Sequence, residues 1–340
     1  MTHDWLLVET LGDDPAVVAQ GSHLRNLVPL TAFLRRNPRI SAIRTAIAES
    51  VQTGQSLASI TPKKDRVIRT EPVLMSDGRV HGVHVWSGPA DAEPPERPTP
   101  GASKWDLTLG AATDTRESLL NNGKNPDVEA ANGRAFAANW PPRVLQADED
   151  QVLARVVKPE PGQTLCIAWD AHDWEGNRFT VGFVARHCLE PGPDDGEHLV
   201  ARGMNWRAQR GSVTEPHECL AQKILGGLAQ PGVYRALFDL HTWNLLKWLD
   251  EPCPLYDWQN VSVSSRVHPE DERLMLSMTS EVVHGPTARV LRLPGAGGSW
   301  VPVHVTVSRM ELAEHTFAGI ISLRLPTDRE LADAGLPTAE

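Results

Sequence analysis

Along Val301–Ser308, Val301, Val303, Val305 and Val307 alternate with Pro302, His304, Thr306 and Ser308. A period of two over this length predicts a half-buried antiparallel strand. Phe317, Gly319, Ile321, Leu323 and Leu325 repeat the pattern and predict a neighbouring strand. The run Gly295–Gly298, "GAGG", reads as the hairpin turn that leads into the first of them. Two earlier stretches close in the same way. "EPVLMSDGRVHGVHVW" turns at Ser76-Asp77-Gly78-Arg79, and "TLCIAWDAHDWEGNRFTVGFVARHC" turns around Glu175-Gly176-Asn177. Asp-Gly supplies the positive φ angles that a tight hairpin turn demands. The chain therefore repeats one idea three times, strand, glycine turn, alternating strand, without a strict sequence repeat.

A sheet with one apolar face has to be covered, and three stretches at helical spacing offer the cover. They are "AIRTAIAESVQTG" from Ala42, "PHECLAQKILGGLA" from Pro216 and "PEDERLMLSMTSEVVHG" from Pro269. The last is the clearest. Pro269 suits the first helical position, and Glu270, Asp271 and Glu272 suit the positive end of the helix dipole. Leu274, Met278 and Val282 form an apolar stripe at i, i+4, i+8, and Gly285 marks the stop. This account uses every acid in the stretch without chemistry. The fold class expected is α+β: three small antiparallel-sheet modules with helices on one face.

Two stretches read as linkers: Ser87–Ser103, which holds five prolines, and the acidic Leu189–His198. They divide the chain into modules at 1–88, 104–188 and 198–328, followed by a polar tail.

With these residues in place, a resemblance emerges. Pro269-Glu270-Asp271-Glu272-Arg273, a helix, Gly285, a strand, a glycine turn and the strand Val301–Val307 are similar to the later half of a PAS domain. "RALFDLHTWNLLKWLDEPCPLYDWQNV" resembles the opening of one. The middle stretch, "KWDLTLGAA" to "WDAHDWEGNRFTVGFVARHC", resembles a divergent PAS domain, and "EPVLMSDGRVHGVHVW" the last strands of a GAF domain. As a whole the chain resembles actinobacterial sensor-only proteins that join one GAF-like and two PAS-like domains without an effector. The resemblance implies signal sensing and protein–protein scaffolding, with no catalysis and no cofactor.

Charge and composition narrow the partners. A net charge of −10 and a pI near 5.7 argue against a nucleic-acid partner, which needs a concentrated positive face. No apolar run approaches the roughly 20 residues that span a bilayer, so no integral membrane insertion is expected. The acidic opening "MTHDWLLVETLGDD" lacks the basic start of a signal peptide. Cys166, Cys188, Cys219 and Cys253 form no CxxC pair, as suits free thiols in a reducing cytoplasm.

Candidate chemistry is thin. His217-Glu218-Cys219 sits early in a helix, where successive residues point apart, so no metal site is expected. Asp170, His172 and Asp173 fall where a strand enters its turn. Gly295–Gly298 has no following Lys-Ser or Lys-Thr pair and leads into a strand, which excludes a phosphate loop. No GxSxG elbow supports a nucleophile, so no catalytic residue is named. His241 is the histidine to examine, because some PAS domains hold haem through a pocket histidine.

The expected function is a cytoplasmic sensor or adaptor that binds a small ligand or a signalling protein and transmits by domain rearrangement. The alternatives are a structural scaffold with filled, ligand-free modules and, behind it, a cryptic hydrolase. Pocket candidates in the third module are Phe238, Trp243, Leu246, Trp248, Met278, Leu291, Val305 and Phe317.

Overall fold

The computed structural model describes residues 4–60, 66–139, 149–193, 195–209, 220–260 and 266–337. Its architecture is mostly β: three antiparallel sheets with a few helices. The N-terminal sheet contains β1 (Leu6–Glu9), β2 (Ala16–Gln20), β3 (His23–Pro29), β4 (Leu57–Ile60), β5 (Arg66–Leu74) and β6 (Val80–Pro89), ordered β3-β2-β1-β6-β5-β4. Between β3 and β4 run α1 (Leu30–Phe33) and α2 (Ile40–Thr53).

The middle sheet contains β7 (Gly101–Asp106), β8 (Ala111–Asp114), β9 (Arg134–Ala135), β10 (Thr164–His172), β11 (Arg178–Pro191) and β12 (Glu197–Ala208), ordered β10-β11-β12-β7-β8-β9. Helices α3 (Arg116–Asn121) and α4 (Glu149–Val157) fall between its strands in sequence. The C-terminal region contributes α5 (Leu220–Gly227), β13 (Tyr234–Phe238), β14 (Leu245–Trp248), α6 (Glu272–Glu281), β15 (Thr287–Pro294), β16 (Trp300–Ala313), β17 (Thr316–Arg324) and α7 (Asp328–Asp333). Its sheet is ordered β14-β13-β17-β16-β15. In each of the three sheets the first strand lies beside the last, so one circular scheme serves all three.

The hairpins form where glycine and aspartate place them. Gly78, at φ +83, donates its N–H to the Met75 carbonyl at 2.9 Å, and β5 returns as β6. Asp173 accepts from the N–H groups of Glu175 and Asn177 at 3.0 and 2.8 Å, which shapes the β10–β11 turn. The Gly295 N–H donates to the Ser299 carbonyl at 2.7 Å and closes the β15–β16 turn.

Several expectations need correction. Leu189–His198 is not a linker but the closing end of the β11–β12 hairpin, with Pro191 paired to Glu197. The helical stripe on α6 is Met275, Met278 and Val282, all buried, whereas Leu274 is exposed. That helix ends at Glu281, with Val282 as its C-cap in right-handed backbone, so Gly285 lies beyond the stop.

A further correction concerns cover. Helices do not simply line one face of each sheet. Ile43, Ala46 and Ile47 of α2 pack on Val8, Val17, Val83 and Val85, which is the cover expected. The opposite face of the same sheet, Leu7, Val18, Ala19, Val73 and Met75, packs on Ala102, Val184, Met204 and Trp206 of the middle sheet. Burial on both faces explains why β1 and β2, "LLVE" and "AVVAQ", show no alternation. Contacts divide the chain into two units, and both of these sheets belong largely to the first. The second unit joins Asp106–Ala111 and Arg134–Pro159 to the C-terminal sheet, which α4 covers through β16 and β17 and α6 through β15.

The stretch Ser87–Ser103 is docked rather than free. The Trp5 Nε1–H donates to the Pro95 carbonyl at 3.0 Å, and the Arg97 guanidinium lies 5.0 Å from the Trp5 ring.

Candidate functional site

The C-terminal core contains a cavity where the third-module pocket was sought. Phe238, Trp243, Leu291 and Val305 line it, together with Tyr256, Arg266, Met275 and Ile321. It encloses about 20 Å³, room for about one water. Among the described residues this core is closely packed around that small space. Trp248 and Met278 belong to the same core without reaching the cavity, and Trp248 packs edge-on against Tyr256 and Trp258. Leu246 and Phe317 depart from the expectation. Leu246 lines a separate small hollow with Leu107, Phe136 and Val156, because the β13–β14 pairing skips it: Leu237 pairs with Lys247 and Phe238 with Leu245. Phe317 sits near the turn end of the β16–β17 hairpin, paired with Glu311 and half-buried beneath the Arg309 guanidinium at 3.5 Å.

The polar members of this region hold the loop after β13. Asp239 accepts from the His241 N–H at 2.9 Å and the Thr242 hydroxyl at 2.5 Å. That loop places Trp243 at φ +58 and lets its Nε1–H donate to Thr279 Oγ1 at 2.9 Å. Arg266 donates to the Thr242 carbonyl and, at 2.7 Å, to Asn244 Oδ1. Burial pulls its pKa below the ordinary value and pushes the Tyr256 phenol up. His241 is exposed and does not enter the cavity.

More room lies at the N-terminal module, which sequence reasoning did not single out. A cleft of about 660 Å³ opens between α2 and the β1–β2 loop. Thr10, Gly12, Asp13 and Pro15 form one wall; Ile40, Arg44, Ala48 and Val51 form the other, with Ile47 among the lining side chains. Asp13 and Arg44 bring opposite charges to the two walls. Thr10 buries its hydroxyl without a hydrogen-bond partner among the described residues.

The loop that walls this cleft is clamped from behind. Glu9, 1% exposed, accepts from the Leu11 N–H at 3.1 Å and from Arg186 Nε and Nη2 at 2.9 and 3.1 Å. The bond to Glu9 raises the Arg186 pKa. Gly12 lies so close that an added Cβ would come within 2.6 Å of the Arg186 guanidinium. Arg186 stands on β11, so a displacement of the loop meets the middle sheet directly.

A second polar cluster joins the same two sheets. Arg202 of β12 donates to both oxygens of Glu190 at 2.5 and 2.9 Å and to Asp77 at 2.6 Å. Its Nη1 lies 3.1 Å from His81 Nε2, and His81 Nδ1 lies 2.7 Å from the Gly203 carbonyl. These contacts select the tautomer with the proton on Nδ1. Burial lowers the His81 pKa to about 4, and Arg202 and Lys104 hold Glu190 at about 2 against its own burial. Turn chemistry had accounted for Asp77, and His81 and Arg202 drew no reading, because their partners lie more than a hundred residues apart in sequence.

The remaining candidates have structural partners. Asp170 accepts from Arg178 and from Thr180, each at 2.9 Å, and Asp173 shapes its turn. His268 caps the Pro269–Asp271 helical turn, its Nδ1 accepting from the Glu270 N–H at 3.3 Å. Asp271 accepts the Arg292 backbone N–H and both arms of its guanidinium at 2.7–2.9 Å. His217-Glu218-Cys219 lies outside the described residues. Cys166, Cys188 and Cys253 are free thiols, and burial pushes Cys166 up to about 11. No helix among the described residues is long and apolar enough to cross a membrane.

Comparison with known proteins matches the chain in three consecutive stretches. Residues 4–96, 99–208 and 218–334 match the Rv3651-like N-terminal, middle and C-terminal domain families. The crystal structure of an uncharacterised protein from Mycobacterium tuberculosis is 63% identical, with a TM-score of 0.91 over 99% of this chain and 100% of that one. An RNA-binding light-oxygen-voltage receptor is 9% identical over 70% of this chain and 99% of its own, and its TM-score of 0.26 carries no weight. No functionally curated protein matches.

Proposed function

The chain belongs to the Rv3651-like family, and we propose that it works as a sensing adaptor without a catalytic step. A small ligand enters the cleft between α2 and the β1–β2 loop, and the loop passes its displacement to β11. The observation that carries this reading is the Glu9–Arg186 clamp, which ties the cleft wall to the middle sheet at 2.9 Å. The output is a changed surface for a signalling protein in the cytoplasm. The circular strand order common to the three sheets supports reading all three modules as GAF- or PAS-like, and it does not distinguish between the two.

Native mass spectrometry of the full chain tests the proposal. The sensing reading expects a stoichiometric small-molecule adduct that disappears in Ala48→Trp, where an exposed cleft residue becomes large enough to fill the space. A bare chain in every preparation contradicts it. That result favours a second reading, a structural scaffold, which the small size of the C-terminal cavity, about 20 Å³, supports.

A further inference from the structure

A different hollow, of about 280 Å³, lies where β5, the docked proline-rich stretch and the start of α3 meet. Its size is near the lower end of the about 300–1,000 Å³ typical of ligand sites. Its polar lining is Glu71, His84, Arg97, Thr99, Thr115 and Glu117, with Val73 and Ala102 supplying apolar surface. Glu71 and His84 are directly opposed in the β5–β6 ladder and therefore share a face. Arg97 forms an ion pair with Glu71, and the Trp5 ring supports both Arg97 and His84, the latter at 5.9 Å between ring centres.

His84 is the informative residue. It is 2% exposed, yet its ring nitrogens meet no hydrogen-bond partner among the described residues. Burial lowers its pKa to about 3, so the ring is neutral and offers one donor and one acceptor to whatever occupies the hollow. Arg97 is also desolvated, which lowers its pKa, and it is the one cation among the lining residues. A bare anion would face the carboxylates of Glu71 and Glu117, and a bare cation would face Arg97. A molecule carrying both charges meets a complement for each.

We propose that this hollow binds a small zwitterion of the free α-amino-acid class. Its carboxylate lies on Arg97 and the His84 N–H, and its ammonium on Glu71 and Glu117. This site is separate from the cleft beside α2 and does not depend on it.

The test is thermal unfolding of the full chain with each free L-amino acid at millimolar concentration, with acetate and ethylamine as single-charge controls. One amino acid or a related group raises the midpoint saturably, and neither control does. Affinity falls by about tenfold in Arg97→Gln and in Glu117→Gln and is unchanged in Ala48→Trp. Glu117 is exposed, so its variant remains readable if Arg97→Gln loosens the proline-rich stretch. The proposal is overturned if no amino acid shifts the midpoint, if acetate alone matches the shift, or if the shift survives Glu117→Gln. Loss of the shift in Ala48→Trp places the ligand in the cleft beside α2 and equally overturns it.

Discussion

His81 is fully buried between Arg202 and the Gly203 carbonyl, with Asp77 and Arg79 close enough to act on its charge. Its folded pKa of about 4 lies below the ordinary 6.5. The folded chain thus keeps this ring neutral while the unfolded chain protonates it. Stability is fully present above pH 6.5 and is lost as pH falls toward 4, by up to about 3 kcal/mol. A second proton would also set Nε2–H against the Arg202 guanidinium. Glutamine can keep both hydrogen bonds without titrating. Urea unfolding at pH 7 and pH 5 should therefore show His81→Gln losing about 2 kcal/mol less than the parent. Equal losses in the two proteins would contradict this account. His84 and His304, whose pKa values are also lowered, titrate in both proteins and cancel in the comparison.

At the scale of the element, α6 shows what packing adds to pattern. Pro269 and the first-turn acids were readable because cap chemistry and the helix dipole act within one turn. The buried face was not. Leu274 and Met275 are adjacent and both apolar, and the sheet beneath the helix decides which is covered. Met278→Ala, at a fully buried site, should cost about 3 kcal/mol, and Leu274→Ala under about 0.5 kcal/mol, by chemical denaturation of each variant. Asp271→Ala should cost about 2 kcal/mol, because it releases Arg292 and frees α6 from β15. Comparable costs at Leu274 and Met278 would restore the stripe expected from spacing alone. Two pocket candidates fall away from the cavity for related reasons. Leu246 was displaced by the β13–β14 irregularity, and Phe317 lies toward a hairpin end, where alternation continues but cover does not.

Over the whole molecule, the three hairpins were legible because Asp-Gly and Gly-rich turns are local instructions. The packing of the N-terminal sheet on the middle sheet was not, because it joins Leu7 and Met75 to Val184 and Trp206 across long sequence separations. The cleft beside α2 was hidden for the same reason, since its walls come from residues 10–15 and 40–52. The clamp that joins cleft to sheet pairs Glu9 with a residue 177 positions away. Such a contact carries a signal only if the loop and β11 move together, and that coupling is the central claim. Hydrogen exchange of the full chain, comparing the parent with Ala48→Trp as a permanently filled cleft, tests it most directly. The account predicts altered protection in Glu9–Pro15 and in β11 around Arg186, with α6 and β15–β17 unchanged. A change confined to α2, with β11 unaffected, would contradict it.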